Sequence, residues 1–219
     1  MINIFYHASL MGERYNEIIS SSFRKIKSSG LYDVADSITI GVLGDGEIAL
    51  EKSGEYDKVK IVRLASDFLK SERPTIQMLW DHAQENNSLY LYLHAKGVAN
   101  PHWNHIDGEK EFVGDWRNYM EYFNVERWED CVSLLNSGYD CVGVNYKDNP
   151  WPHFSGNFWW ATSDYLRRTE RPIDAYPPDG PDRFYDERWI GLAYPKAMSM
   201  HLSNVNHYHQ SYPGDLYRK

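Results

Sequence analysis

Four runs of this chain carry side chains of the kinds that do chemistry. The first, His94-Ala95-Lys96-Gly97, closes an apolar stretch, Ser88–Leu93. On an extended strand residues two apart share a side, so His94 and Lys96 would face one way. Lysine supplies a fixed positive charge, and Gly97 lets backbone come close. That set suits a diphosphate; it equally describes a surface lysine beside a satisfied histidine. The second run is Phe154-Ser155-Gly156-Asn157-Phe158-Trp159-Trp160-Ala161. Gly156 interrupts an apolar strand, as happens where a ligand or a second backbone approaches. Ser155 and Asn157 set small polar groups beside Trp159 and Trp160, the make-up of a site for sugar hydroxyls and ring faces. The plain alternative is a bulged core strand with two packed tryptophans. The third is the acidic pair Asp186-Glu187. At a helix start such acids are favoured by about 0.3–1 kcal/mol. In a site they would serve as general base, nucleophile or acceptor anchor, with pKa values pushed apart. The fourth is His201, His207 and His209, of which the last two would share one side of a strand. One of them could ligate a metal or a phosphate. A three-histidine zinc site is not expected, since no HExxH or Cys/His spacing accompanies them.

These runs need elements to hold them. Strands are predicted over Asn3–Tyr6, Ser37–Leu43, Val59–Leu64, Ser88–Leu93, Asp140–Asn145 and Ala197–Leu202. Between them Ile18, Ile19, Phe23 and Ile26 recur at helical spacing, and Ile76, Leu79, Trp80 and Ala83 follow Pro74 in the same way. A long helix is predicted over Glu111–Leu135 and a short one over Asp186–Leu192. Strand and helix in alternation predict an α/β chain, a mainly parallel central sheet flanked by helices. Right-handed crossovers put the strand carboxyl ends on one edge, where ligands of open α/β sheets bind. That edge would hold Tyr6-His7-Ala8, Gly44-Asp45-Gly46-Glu47, Ala65-Ser66-Asp67 and His94–Gly97. The proline-rich stretch 169–183 reads as a loop or lid.

Composition removes several classes. The 219 residues carry a net charge of −8, which argues against nucleic acid as a partner. Two cysteines make neither a disulfide scaffold nor a Cys-based zinc site. No apolar run is long enough to span a membrane, and the first residues lack a signal-peptide pattern. A soluble, cytoplasmic protein is expected. There is no GxxxxGK[ST], no strand-following GxGxxG and no GxSxG, so ATPases, Rossmann dehydrogenases and α/β-hydrolases are not expected. The aromatic share, 15%, is high and serves either a core or stacking platforms.

The order of the runs carries a resemblance. His94-Ala95-Lys96-Gly97 is followed by Asp115-Trp116-Arg117 in a long helix, then Tyr139–Asn145, His153–Ala161 and Glu187-Arg188-Trp189-Ile190-Gly191. Taken together these resemble GT-A-type glycosyltransferase domains of bacterial polysaccharide clusters and of chlorella-type large DNA viruses. The resemblance spans about Asn3 to Tyr208. It implies a single GT-A-like domain over 1–219, with a nucleotide-binding half to about residue 100 and an acceptor and sugar-binding half beyond. It allows that domain to be one part of a longer polypeptide, and a viral member would work in the host cytoplasm.

The implied activity is transfer of a sugar from a nucleotide-sugar donor, a UDP-sugar first of all, to a hydroxyl of a glycan or glycoprotein. The implied donor contacts are Tyr6, His7, Ala8, Ser66, His94, Lys96 and Gly97. Ser155, Gly156, Asn157 and Trp159 would hold the sugar, and Asp186 or Glu187 would act at the acceptor hydroxyl or face the anomeric carbon. Such domains end the fourth strand with Asp-x-Asp, which holds Mn²⁺ or Mg²⁺ on the diphosphate. Here His94-Ala95-Lys96 stands instead. The ion would then be held by His94, by an acid such as Asp107 or by a late histidine such as His207, or Lys96 would take over part of its neutralising role. The order of the Phe154–Asn157 run, the acidic pair and a late histidine leans toward retention of anomeric configuration. Two other readings use the same residues: a non-catalytic sugar-binding module, and a metal-dependent phosphoester hydrolase built on His94, His201, His207 and Asp186.

Overall fold

The structure, a computed structural model, describes residues 1–65, 71–97, 109–172 and 183–218. The first half contains β1 (Ile2–Ser9), α1 (Tyr15–Ser28), α2 (Leu31–Val34), β2 (Ser37–Leu43), α3 (Leu50–Ser53), β3 (Val59–Ala65), α4 (Arg73–Glu85) and β4 (Leu89–His94). The second half adds α5 (Glu109–Glu121), a π turn (Tyr122–Glu126), α6 (Trp128–Asn136) and β5 (Cys141–Gly143). After them come β6 (Tyr146–Lys147), β7 (His153–Phe154), β8 (Trp159–Thr162), α7 (Ser163–Leu166), α8 (Arg183–Trp189) and β9 (Ala197–Ser199). β6 and β7 form a separate hairpin.

The main sheet has seven strands in the order β3-β2-β1-β4-β8-β5-β9. All its pairings are parallel except those of β8, which runs antiparallel to β4 and β5. β4 shows why its sequence is apolar throughout: both faces are covered. Tyr90 and Tyr92 pack with Ile76, Leu79 and Trp159 on the α4 side, and Leu91 and Leu93 with Tyr6, Phe23 and Trp160 on the α1 side.

Four predicted elements come out shorter or broken, the last strand among them, which ends at Ser199. In place of one helix over 111–135 the chain forms α5, the π turn and α6. The π turn buries Phe123, Asn124 and Val125 together, and its Asn124 carbonyl accepts the Trp160 indole N–H at 2.9 Å. The predicted strand Phe154–Ala161 is two strands around a turn, because Gly156 (φ +90°) and Asn157 (φ +58°) both take the left-handed conformation. β5 stops at Gly143 for the same reason: Asn145 has φ +52°. The acidic pair sits inside α8, which begins at Arg183 rather than at Asp186.

The chain lays down β1, β2 and β3 in order, then crosses back over β1 to place β4. The strand order therefore reverses between β1 and β4, and at such a switch point the carboxyl ends leave a crevice for a ligand.

Candidate functional site

The last register pair of β1 and β4 is His7 with His94, so the two imidazoles mark the floor of that crevice. Because β8 is antiparallel, with Tyr92 opposite Trp159, the Ser155–Phe158 turn before it lies on the same edge. The start of α4 reaches that edge too, and brings Glu72 and Arg73.

Glu72 is the hub. Its Oε2 accepts from the Tyr92 hydroxyl at 2.8 Å and from Asn157 Nδ2 at 2.7 Å. Its Oε1 lies 3.7 Å from His94 Nε2, and its side chain keeps 16% of its exposure. Asn157 is fixed from its other end by the Trp159 indole N–H, which donates to Oδ1 at 2.8 Å. Burial and the Glu72 charge hold the Tyr92 hydroxyl well above its ordinary pKa, so it stays a donor. Beside this hub Arg73 Nε donates to Asp186 Oδ1 at 2.9 Å, both side chains being 4% exposed. Burial pushes the Asp186 carboxyl up to about 6 against the opposing pull of Arg73. Glu187, half-buried, acts electrostatically on His94.

His94 donates from Nε2 to the Gly156 carbonyl at 3.1 Å. Burial, with the Lys96 charge second, lowers its pKa to about 3; burial and then His94 lower that of His7 to about 3. Both rings are therefore neutral near pH 7, and neither is a ready acid there. His7 Nδ1 is hydrogen-bonded to Thr75 Oγ1 at 2.8 Å.

Several expected contacts are placed elsewhere. β1 runs on to Ser9, so Tyr6 and Ala8 are core residues on the α1 side at 0% exposure, not a loop against a nucleotide. The Tyr6 hydroxyl donates to Ser22 Oγ instead. Trp159 is also at 0% exposure, stacked on Tyr92 with ring centres 5.1 Å apart, which leaves no indole face for a sugar. Lys96 is not on the strand with His94: its N–H bonds back to the His94 carbonyl at 2.7 Å, a tight turn that Gly97 (φ +92°) follows. His207 and His209 do not share a strand face, since they lie in a turn where His207 is buried and His209 exposed. Ser155 is half-buried, with its N–H on the Asn145 carbonyl. Ser66, Asp67, Asp107 and most of the 169–183 stretch lie outside the described residues.

Gly156 is required by packing as well as by its φ. A Cβ there would meet Met120 Sδ at 2.4 Å and Trp116 Cζ2 at 2.9 Å. Gly156→Ala is expected to cost about 2–4 kcal/mol, overpacking and left-handed strain together. The check is a fall in the urea midpoint at unchanged slope.

His94 and His207 do not make a metal site. His94 uses Nε2 on Gly156 O, and His207 Nε2 accepts from Ser203 Oγ at 2.6 Å. Their neighbours differ as well: His94 approaches Glu72, whereas His207 stacks on Trp116 of α5. Among the described residues no group of three His, Cys, Asp or Glu side chains is placed to hold an ion.

Sequence reasoning missed Glu72, Arg73 and Tyr92. A signal existed: Pro74 marks the first turn of a helix that begins on the carboxyl edge. Charged residues just ahead of that proline must fall beside the crevice.

The fold and site thus define an α/β protein with a polar crevice at the switch point of a mainly parallel sheet. The chain belongs to the family described as Domain of unknown function (DUF8361), whose profile matches residues 1–177. No curated protein matches it. Among solved structures it is similar to a protein from Desulfovibrio desulfuricans G20 that is provisionally assigned as a nucleotide-diphospho-sugar transferase. The identity is 10%, with 92% of this chain and 80% of that chain covered and a TM-score of 0.46. No helix among the described residues is long and apolar enough to cross a membrane.

Proposed function

We propose that this protein is a glycosyltransferase that moves a sugar from a nucleotide-sugar donor, a UDP-sugar first of all, to a glycan hydroxyl. The observation that carries the reading is Glu72: a carboxylate pinned at one oxygen by Tyr92 and Asn157, and set in the switch-point crevice. The run order of GT-A-type domains, which this chain resembles, supports it. The acceptor oxygen would bond to the anomeric carbon as the bond from that carbon to the diphosphate breaks, a single displacement that inverts the anomeric configuration, in place of the retention toward which the run order leans. The hydroxyl proton would pass to Glu72, and the electron pair would leave on the diphosphate. The hydrogen bonds from Tyr92 and Asn157 fix the Glu72 carboxylate, so little reorganisation is needed in the transition state. Asp186, sealed by Arg73, positions the crevice wall, and Glu187 orients the acceptor.

Calorimetric titration with UDP, GDP and CMP, each with and without Mn²⁺, tests the reading. UDP is expected to bind, and incubation with UDP-sugars to release UDP. Failure of every nucleotide to bind would overturn it. The Mn²⁺ arm reports whether an ion shares the diphosphate.

A further inference from the structure

Beyond His94 the chain turns toward α5, and there it gathers two cations and three buried N–H groups that have no acceptor among the described residues. Lys96 is 8% exposed, and its ammonium lies 4.1 Å from the centre of the Trp116 ring and 5.8 Å from that of Tyr208. Arg117 Nη1 donates to the Lys96 carbonyl at 2.9 Å, which sets a second cation on the same turn. Neither cation belongs to any ion pair of the described residues, although the chain carries a net charge of −8. Three N–H groups of this cluster are buried without an acceptor: Arg117 Nε, Trp116 Nε1 and His207 Nδ1. The His207 proton is on Nδ1 by elimination. Asn145 Nδ2, which can only donate, lies 2.8 Å from Ser203 Oγ and 3.4 Å from His207 Nε2, so Nε2 takes the acceptor role. His207 stacks on Trp116 at 5.2 Å between ring centres, their planes 9° apart, which holds both donors in one layer.

Buried donors without acceptors, and a buried ammonium such as that of Lys96 without an ion-pair partner, cost a fold free energy unless a ligand satisfies them; Arg117 is half-buried beside them. Here all the unmet groups are donors or cations. That repels a metal ion and fits an oxyanion with several acceptor oxygens. We propose that Lys96, Arg117, Trp116 and His207 form an anion site that takes a diphosphate without a divalent ion. The inference rests on the transferase reading for its biological ligand and names what neutralises the leaving group, but the site is testable alone.

The probe is inorganic pyrophosphate, titrated calorimetrically into the full chain in excess EDTA. Pyrophosphate is expected to bind more tightly than monophosphate, with affinity falling as salt rises. Lys96→Met and Arg117→Met should each weaken it by at least about tenfold, the loss of one charge-assisted contact. Lys96→Arg should recover part of the affinity that Lys96→Met loses, since a charge and N–H donors persist. The thermal midpoint should hold or rise in Lys96→Met, because an unpaired buried cation is removed. Trp116→Phe, which deletes only the donor nitrogen and its ring, should weaken binding in the same direction. Pyrophosphate binding that requires Mn²⁺, that is absent, or that is unchanged in both Met variants would overturn the site. Pyrophosphate binding with no nucleotide binding would leave the anion site standing and fail the transferase reading. UDP binding that needs Mn²⁺ and ignores Lys96→Met would do the reverse.

Discussion

Glu72→Gln is expected to lower turnover by about 10²–10⁴-fold, the usual worth of a positioned general base, with UDP affinity unchanged. The amide oxygen of glutamine can still accept from Tyr92 and Asn157, so the hydrogen-bonded frame survives while basicity is lost. The variant therefore separates chemistry from architecture. The readout is UDP released from a saturating UDP-sugar, beside calorimetric affinity for UDP. Asp186→Asn should do less, because Asp186 is sealed against Arg73 and does not face the crevice. Full turnover in Glu72→Gln would reduce Glu72 to a structural hub and return the acceptor role to Glu187.

Arg73→Met is expected to cost about 3–5 kcal/mol of stability at pH 7.5, since it leaves the Asp186 carboxylate buried and without its counter-charge. The loss should shrink at pH 5, and the sign follows from linkage. Asp186 has its carboxyl raised from 3.8 to about 6 in the folded chain. Across that window the folded state holds the proton more tightly than the unfolded one. The contribution of this group is therefore greatest below the lower value and is lost as pH rises through the upper one. Without Arg73 the carboxyl moves higher still, and at pH 5 it is neutral and tolerates the missing partner. Urea midpoints at the two pH values check this. The double variant Arg73→Met with Asp186→Leu should recover much of the loss, as buried pairs replaced by apolar groups often do. A pH-independent loss would mean that Arg73 matters through packing alone.

Both predictions turn on residues of unequal legibility. The acidic pair was visible as two adjacent carboxylates, yet the pair is split: Asp186 turns inward to Arg73 and Glu187 outward. Pro74 marks a helix start on the carboxyl edge, but only the long-range contacts with Tyr92 and Asn157 single out Glu72 there. The glycine of the Phe154–Ala161 run did mark a close approach, but of the α5 side chains Trp116 and Met120 rather than of a ligand. Trp159 had the right chemistry for a sugar platform and the wrong location, since Tyr92 covers it.

What the sequence determined by itself is what local periodicity can encode. A continuous apolar run such as β4 must be a strand covered on both faces, and strand-forming runs bounded by turn residues place β2, β3 and β4 within a residue or so of their predicted bounds. Their alternation with helices dictates a mainly parallel sheet and hence a carboxyl edge. Tertiary structure alone decided which side chains on that edge are open. Arg73 reaches Asp186 across 113 positions and Glu72 reaches Asn157 across 85. The spacing of residues along the chain does not encode contacts at that range. Whether a carboxylate is sealed or exposed, and whether an indole is a platform or a core piece, depends on the partner the fold brings to it.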